Sequence, residues 1–248
     1  MKRRYALAAL ASTALLVSSY AVVLGAQTIP PAVGNAVADM GRPQADKDRD
    51  AVRHPDQVLA ASGIKAGDKV VELSPGGGYM TRLFSKLVGP NGKVYAANLP
   101  TFNERYAAGP IEVSKSPGYA NVTVVTQKYE ELKLPEPVDV VWTSENYHDF
   151  QNMGMFKTDT AAMDKAIFAA LKPGGMYIVT DYPAAAGSGT RDTQALHRID
   201  PEVIKREVQA AGFRLESESN VLANPGDDLS KRSSQAASQV FYKFRKPG

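Results

Sequence analysis

Cysteine is absent from the 248-residue chain, and histidine occurs only three times. The lack of cysteine excludes a disulfide framework, a thiolate zinc site, a lipid anchor on cysteine and a cysteine nucleophile. Internal repeats are also missing. Without disulfides or thiolate metal sites, stability must come from an apolar core. The length leaves room for one α/β domain of about 200 residues rather than two.

The sequence has no excess of positive or negative charge once residues 1–26 are set aside. The formal charge of the whole chain is +3, which equals the charge carried by Lys2, Arg3 and Arg4. The remainder is balanced and offers no basic patch for a phosphate backbone. The composition therefore predicts no nucleic-acid partner.

The N-terminus has the features of an export signal. Three basic residues precede an uncharged run from Tyr5 to Ala26 that ends in small residues. This pattern is typical of a secretory signal peptide over residues 1–26. Because the run is long enough to span a bilayer, an uncleaved membrane anchor is the alternative. In both cases we expect an exported chain, periplasmic or secreted, whose only membrane contact would be the uncleaved leader.

Two segments of different composition follow the leader. Residues 27–45 contain prolines, glycines and small residues without a sustained period, which predicts a flexible tether. Residues 46–248 form the predicted domain, in which apolar strand-like runs alternate with helical patterns. The predicted strands lie at 69–74, 93–98, 121–126, 138–143 and 176–182, with two alternating runs after residue 212. This order predicts an α/β fold with a doubly wound, mostly parallel seven-stranded sheet and an antiparallel terminal pair.

The stretch "VVELSPGGGYMTRL", residues 70–83, joins the first predicted strand to a helix through a glycine-rich turn. Such a turn lets a ligand approach the backbone at the start of the helix. The spacing does not match the dinucleotide fingerprint, because Ser74 stands at the first glycine position. The pattern therefore favours a ligand other than a nicotinamide dinucleotide.

With these elements in place, the chain resembles the class I S-adenosylmethionine-dependent methyltransferases. The matching stretches are "VVELSPGGGYMTRLFSKLVGPNGKVYAAN", "PVDVVW", "LKPGGMYIVTDY" and "EVQAAGF", in that order. More narrowly, the chain is similar to a group of predicted methyltransferases with export signals, through "PGGGY", "NYHD", "LHRID" and "NPGDD". The resemblance implies a Rossmann-like fold, S-adenosyl-L-methionine as the cofactor and a methyl acceptor that we expect to be a small molecule.

The resemblance also implies which residues hold the cofactor. The residue ending the second strand is normally an acid that binds the ribose hydroxyls, and here it is Asn98. After the third strand many family members place an acid near the adenine, where this chain has Gln127 and Lys128. The residues expected at the methionine half lie on one strand and its turn: Glu72, Ser74, Gly76, Gly77 and Gly78.

The stretch "SENYHDF" follows the fourth predicted strand, at the edge of the sheet where the acceptor site would begin. His148 is the predicted general base, because the ordinary pKa of histidine lies near neutrality. Asp149 or Glu145 would orient its ring. The alternative is that His148 only makes hydrogen bonds within the loop, so that transfer by proximity alone tolerates its loss.

Four further residues are predicted to line the acceptor site. Arg198 would hold an acidic group of the substrate with two hydrogen bonds, or would instead pair with a nearby acid such as Asp200. The predicted substrate-binding residues are Tyr147, Asp181, His197 and Arg198.

The sequence suggests no metal site. His54, His148 and His197 are far apart, and the "NPGDD" turn at 224–228 lacks the alternating ligands of a calcium loop. Two functions besides methyl transfer stay open. One is an exported non-catalytic binding protein with a degenerate methyltransferase fold; the other, disfavoured by the glycine spacing, is a nicotinamide-dependent oxidoreductase.

Overall fold

The structure, a computed structural model, describes residues 28–152 and 154–248, so the predicted leader lies outside the described residues. The strands are β1 (Lys69–Leu73), β2 (Lys93–Asn98), β3 (Val122–Thr126), β4 (Val138–Ser144), β5 (Leu171–Asp181), β6 (Arg214–Ser219) and β7 (Val240–Arg245). The helices are α1 (Pro31–Val37), α2 (Gln44–Lys47), α3 (Asp50–Arg53), α4 (Pro55–Ser62), α5 (Tyr79–Val88), α6 (Glu104–Lys115), α7 (Tyr147–Asn152), α8 (Thr160–Ala170) and α9 (Pro201–Ala210). None of the described helices has the length and apolar character that crossing a membrane requires.

The seven strands form one sheet in the order β3-β2-β1-β4-β5-β7-β6. Strands β1 to β5 are parallel, and β7 runs antiparallel between β5 and β6. The predicted doubly wound fold with an antiparallel terminal pair is therefore confirmed. The strand order reverses between β1 and β4, and a ligand site of this fold lies beyond the carboxyl ends of the strands at that point.

Helices cover both faces of the sheet and produce two apolar cores. Neighbouring residues Val70 and Val71 of β1 are both fully buried, yet they belong to different cores, because side chains of a strand alternate between its faces. Helices α1, α4 and α5 contribute to the core around Val70. Helices α7, α8 and α9 contribute to the core around Val71.

Helix α5 follows the glycine turn as its apolar pattern predicts. Met80, Leu83, Phe84 and Leu87 share one face and are buried. The helix ends at Gly89, whose φ of 67° suits glycine. This packing fixes the start of α5 directly behind the turn.

The flexible tether predicted over residues 27–45 is not seen in its described part, residues 28–45. Val33 and Ala36 of α1 are each only 2% exposed, and α1 packs against α4 and α5. Arg42, also buried, forms an ion pair with Asp50 at 2.6 Å. The spacing of Val33 and Ala36, three residues apart, is the helical signal that the composition of this segment obscured.

Candidate functional site

The glycine turn after β1 forms the floor of the candidate site. Ser74, Gly76 and Gly78 have φ values of 53°, 55° and 79°, which glycine adopts freely and serine only with strain. The backbone N–H of Ser74 donates to the Ala97 carbonyl at 2.9 Å and so ties the turn to β2. The turn presents bare backbone at the carboxyl edge of the sheet, where the predicted ligand would lie.

Tyr129, which sequence reasoning missed, supports the turn from below. Its side chain is fully buried, and its hydroxyl donates to the Ala97 carbonyl at 2.7 Å. The hydroxyl oxygen of Tyr129 also accepts a hydrogen bond from the Ser74 N–H at 2.9 Å. Tyr129 lies in a short 3₁₀ helix after β3, so no local motif links it to Ser74.

Glu72 lies in β1 at the base of the turn, as the resemblance implies. It is only 4% exposed, and its carboxyl accepts a hydrogen bond from the Thr81 hydroxyl at 2.5 Å. Burial raises the pKa of Glu72 to about 8, although the Thr81 bond opposes this shift. Burial therefore favours the protonated form of Glu72 at neutral pH.

Arginines from the N-terminal helices form the roof of the site. Arg49 and Arg53 lie over the Tyr79 ring, with guanidinium carbons 5.2 and 4.9 Å from its centre, within the range of cation–π contacts. The Tyr79 hydroxyl donates to Asp50 at 2.7 Å. Sequence reasoning missed this roof, and the charged run before Pro55 was its only signal.

A cavity of about 220 Å³ lies between the roof and the turn. Arg53 is paired with Glu145 at 2.8 Å. The guanidinium of Arg49 makes no hydrogen bond or ion pair within the described part of the chain, and its Nε is buried without an acceptor there. Burial, and then the charge of Arg53, lowers the pKa of Arg49. The cavity lining comprises Arg49, Arg53, Glu72, Leu73, Ser74, Pro75, Gly76, Gly77, Tyr79, Met80, Ser144, Glu145 and Asn146.

Glu145 faces this cavity instead of the histidine that it was predicted to orient. Its φ is 61°, and its carboxylate accepts hydrogen bonds from Arg53 at 2.8 Å and from Gln239 at 3.1 Å. Both interactions direct the side chain toward the roof. The prediction that Glu145 orients His148 is therefore corrected.

The end of β2 is closed by α6. Asn98 is 1% exposed and donates to the Ala107 carbonyl at 3.3 Å, while its Oδ1 accepts no hydrogen bond from any described residue. A Cβ atom on Gly109 would overlap the Gly76 carbonyl oxygen, so the backbones of α6 and the turn are in direct contact. Helix α6 thus occupies the side of the turn where the resemblance places the ribose.

A second group of polar residues lies at the ends of β4 and β5. The Nδ1 of His148 is 2.7 Å from Asp181 Oδ1, and the His148 backbone N–H donates to the other Asp181 oxygen at 2.7 Å. The His148 Nε2 is 3.1 Å from His197 Nδ1 and 3.2 Å from Asp149 Oδ1. The structure therefore brings four of the predicted site residues together, here named the His148 cluster: His148, Asp149, Asp181 and His197.

The pKa values in the His148 cluster diverge. Burial lowers the pKa of His148, but the charges of Asp181 and Asp149 and the hydrogen bond to Asp181 outweigh burial and raise it to about 10. Burial lowers the pKa of His197. A raised pKa disfavours the unprotonated ring that a general base requires, and the general-base role of His148 stays a prediction.

Two predicted substrate-binding residues lie away from any open site. Tyr147 is fully buried and donates its hydroxyl to Asp164 at 2.9 Å, in the core between the sheet and α8. Arg198 is 1% exposed and forms a two-pronged salt bridge with Asp227, both contacts at 2.8 Å. Both predictions are corrected, and the partner of Arg198 is Asp227 and not Asp200.

No family model matches the chain. In sequence it is similar to the ubiquinone/menaquinone biosynthesis C-methyltransferase UbiE of Proteus mirabilis, with 32% identity over 127 residues, 50% of this chain and 47% of that relative. It is 29% identical to UbiE of Photorhabdus laumondii over 195 residues, 75% of this chain and 72% of that relative. The chain spans about half the length of most of the curated relatives it matches, such as the Proteus protein.

The fold has solved counterparts. A S-adenosylmethionine-dependent methyltransferase from Aquifex aeolicus superposes with a TM-score of 0.57 over 82% of this chain and 98% of that chain, at 19% identity. At this identity the likeness shows the fold. Sequence similarity and fold agree with the glycine turn: the chain is similar in sequence to the UbiE C-methyltransferases and in fold to a S-adenosylmethionine-dependent methyltransferase.

Proposed function

We propose that this chain transfers a methyl group from S-adenosyl-L-methionine to a small-molecule acceptor. The observation that carries the proposal is the cavity between the glycine turn and Arg49. A guanidinium that has no anionic partner among residues 28–152 and 154–248, placed above a glycine turn, is suited to the carboxylate of the methionine half. The C-methyltransferases among the relatives support the reaction class.

The residues present fit the methionine half of the cofactor. The turn from Ser74 to Gly78 supplies backbone close to the ligand, and Arg49 would bind the carboxylate. Glu72 would face the α-amino group, whose positive charge favours the ionised form of the acid. When bound, the cofactor supplies an electrophilic methyl group on a sulfonium. The protein's own part is to bind and align, because an oriented acceptor needs no other catalyst unless it must lose a proton.

The nucleoside half requires α6 to move. The cavity of about 220 Å³ is smaller than the roughly 300–1,000 Å³ typical of small-molecule sites. The Asn98 Oδ1 and Nδ2 are the polar groups available to ribose hydroxyls, and Ala107 now holds the latter. Movement of α6 away from the turn would free Asn98 and enlarge the cavity. We therefore infer that cofactor binding displaces α6.

Calorimetric titration of the full chain with S-adenosylmethionine and S-adenosylhomocysteine tests the proposal. We expect wild-type binding in the micromolar range and an Arg49→Gln variant that binds about 10-fold or more weakly, since a charge-assisted hydrogen bond contributes roughly 1.5–3 kcal/mol. Arg214→Gln is the matched control, because Arg214 is exposed on the edge strand β6. Absence of binding by the wild-type protein would refute the proposal. Equal affinity of the Arg49 and Arg214 variants would refute the role of Arg49.

We also propose that the chain is exported. The support for export is the basic start and the uncharged run before residue 27. Expression with the native N-terminus, followed by fractionation and mass determination, tests it. A periplasmic product that begins near residue 27 is the expected result, and an intact chain in the cytosol would contradict it.

A further inference from the structure

The His148 cluster contains three potential metal ligands that converge on one point. The Nε2 of His148, the Nδ1 of His197 and the Oδ1 of Asp149 are 3.1, 3.2 and 3.4 Å from one another. With metal–ligand bonds of about 2.0–2.1 Å, ligand atoms at the corners of a tetrahedron lie about 3.3–3.4 Å apart. We propose that His148, Asp149 and His197 bind one divalent transition-metal ion.

The first imidazole is oriented for this role by Asp181. Asp181 is fully buried, and its carboxylate binds the Nδ1–H and the backbone N–H of His148, both at 2.7 Å. The Tyr182 backbone N–H, 2.8 Å away, donates to the same carboxylate and fixes its position. With Nδ1 donating to Asp181, binding of the ion would displace the Nε2 proton of His148 to solvent and use the Nε2 lone pair. A carboxylate behind a ligating histidine is the usual outer-shell arrangement of metal sites.

Asp149 supplies an independent observation that a cation belongs here. It is 8% exposed, and its Oδ1 is buried and accepts no well-oriented hydrogen bond from the residues that the structure describes. A buried carboxylate oxygen without a donor is costly. An ion at the centre of the three ligand atoms would satisfy it.

The third ligand, His197, gives the site access to solvent. Its backbone has a φ of 50°, uncommon for a side-chain-bearing residue, and this conformation aims Nδ1 at the cluster. Its side chain is 21% exposed, against 2% for His148. Three protein ligands with one accessible side leave a fourth position for water, as in catalytic zinc sites.

The ligand types select the class of metal. Two imidazole nitrogens and one carboxylate oxygen suit zinc, copper, iron or nickel, whereas calcium and magnesium prefer all-oxygen sites. Zinc(II) is therefore the first probe. The competing reading is that a proton on His148 Nε2, shared with Asp149, occupies the same position and that no metal binds.

The test uses the full-length protein after treatment with a chelator and removal of the chelator. Calorimetry with zinc(II) should give one equivalent bound, and cobalt(II) should give the visible absorption of a tetrahedral site. His197→Asn should weaken zinc binding by at least the roughly 10–100-fold that loss of an outer-shell partner costs. His54→Asn is the matched control, because His54 also has a positive φ, 42°, and is exposed outside the cluster.

The outcomes separate the two readings. Asp149→Asn provides a second variant if circular dichroism shows that His197→Asn does not fold. A metal site would be filled at about 100 μM zinc if its Kd were well below that concentration. The proposal is overturned if the wild-type protein binds no zinc at that concentration. Equal losses of zinc affinity in the His54 and His197 variants would also overturn the proposal. Since the readout is metal binding alone, it does not depend on whether the chain transfers methyl groups.

Discussion

The proposed cofactor pocket and the His148 cluster lie at the same edge of the sheet but are built in opposite ways. The pocket floor is backbone, from a turn of five consecutive residues, and its roof is side chains from the N-terminal helices. The cluster is made of side chains from the start of α7, the end of β5 and the loop before α9, with His148 and His197 49 residues apart. A site made of local backbone can be found from a sequence motif, whereas one made of distant side chains needs the fold.

The largest effect that would separate the two regions is expected from Asp181→Ala. Removing this buried carboxylate leaves both N–H groups of His148 without an acceptor, and breaking a buried charged pair costs about 3–5 kcal/mol. Urea unfolding measures the loss, and the exposed Asp228→Ala is the control. Cofactor affinity of the folded variant should stay unchanged. A parallel loss of cofactor affinity would show that the two regions form one site.

A pH effect of comparable size, about 3–5 kcal/mol, is expected from Glu72 in the pocket. Its pKa is raised from 4.5 to about 8 in the folded protein, so the unfolded chain loses the proton first as pH rises. The stability that Glu72 contributes is therefore lost between about pH 4.5 and pH 8. Glu72→Gln should remove this slope and be more stable than wild type at pH 9. Parallel unfolding profiles of the two proteins at pH 5, 7 and 9 would contradict the burial argument.

A smaller effect, about 1–3 kcal/mol, is expected where α6 meets the turn. Gly109→Ala places a methyl group against the Gly76 carbonyl, and both elements must shift to admit it. Gly34→Ala in α1 is the matched control, because no described atom lies within 4 Å of its added Cβ. That control should be neutral or stabilising, since alanine favours helices. Equal thermal midpoints for the two variants would show that the α6 contact is loose.

The fold was predictable because its signals are local. The glycine turn, the stripe of α5 and the Asp200–Pro201 start of α9, where Asp200 accepts the Glu202 N–H at 3.0 Å, each lie within a few residues. Tyr147 was misplaced although a signal existed: Tyr147 and Phe150 are three residues apart and both fully buried, as expected of a helix face that packs on the core.

The remaining errors concern partners that are distant in sequence. Arg198 pairs with Asp227 across 29 residues, and Arg53 pairs with Glu145 across 92. No spacing rule connects such residues, because the loops between strands bring them together only after the sheet has formed. The convergence of His148, Asp149 and His197 was not predictable as a metal site for the same reason, since their separation along the chain suggested none.

The backbone contact between Gly109 and the glycine turn also has a consequence for the speed of binding. If the turn is free to receive a nucleoside only when α6 has moved away, the observed association rate should stop rising with cofactor concentration and level off at the opening rate of the helix. A pocket open at all times would instead show a rate that increases in proportion to concentration. The contact between Gly109 and the glycine turn would then limit the association rate of the proposed cofactor, independently of its affinity.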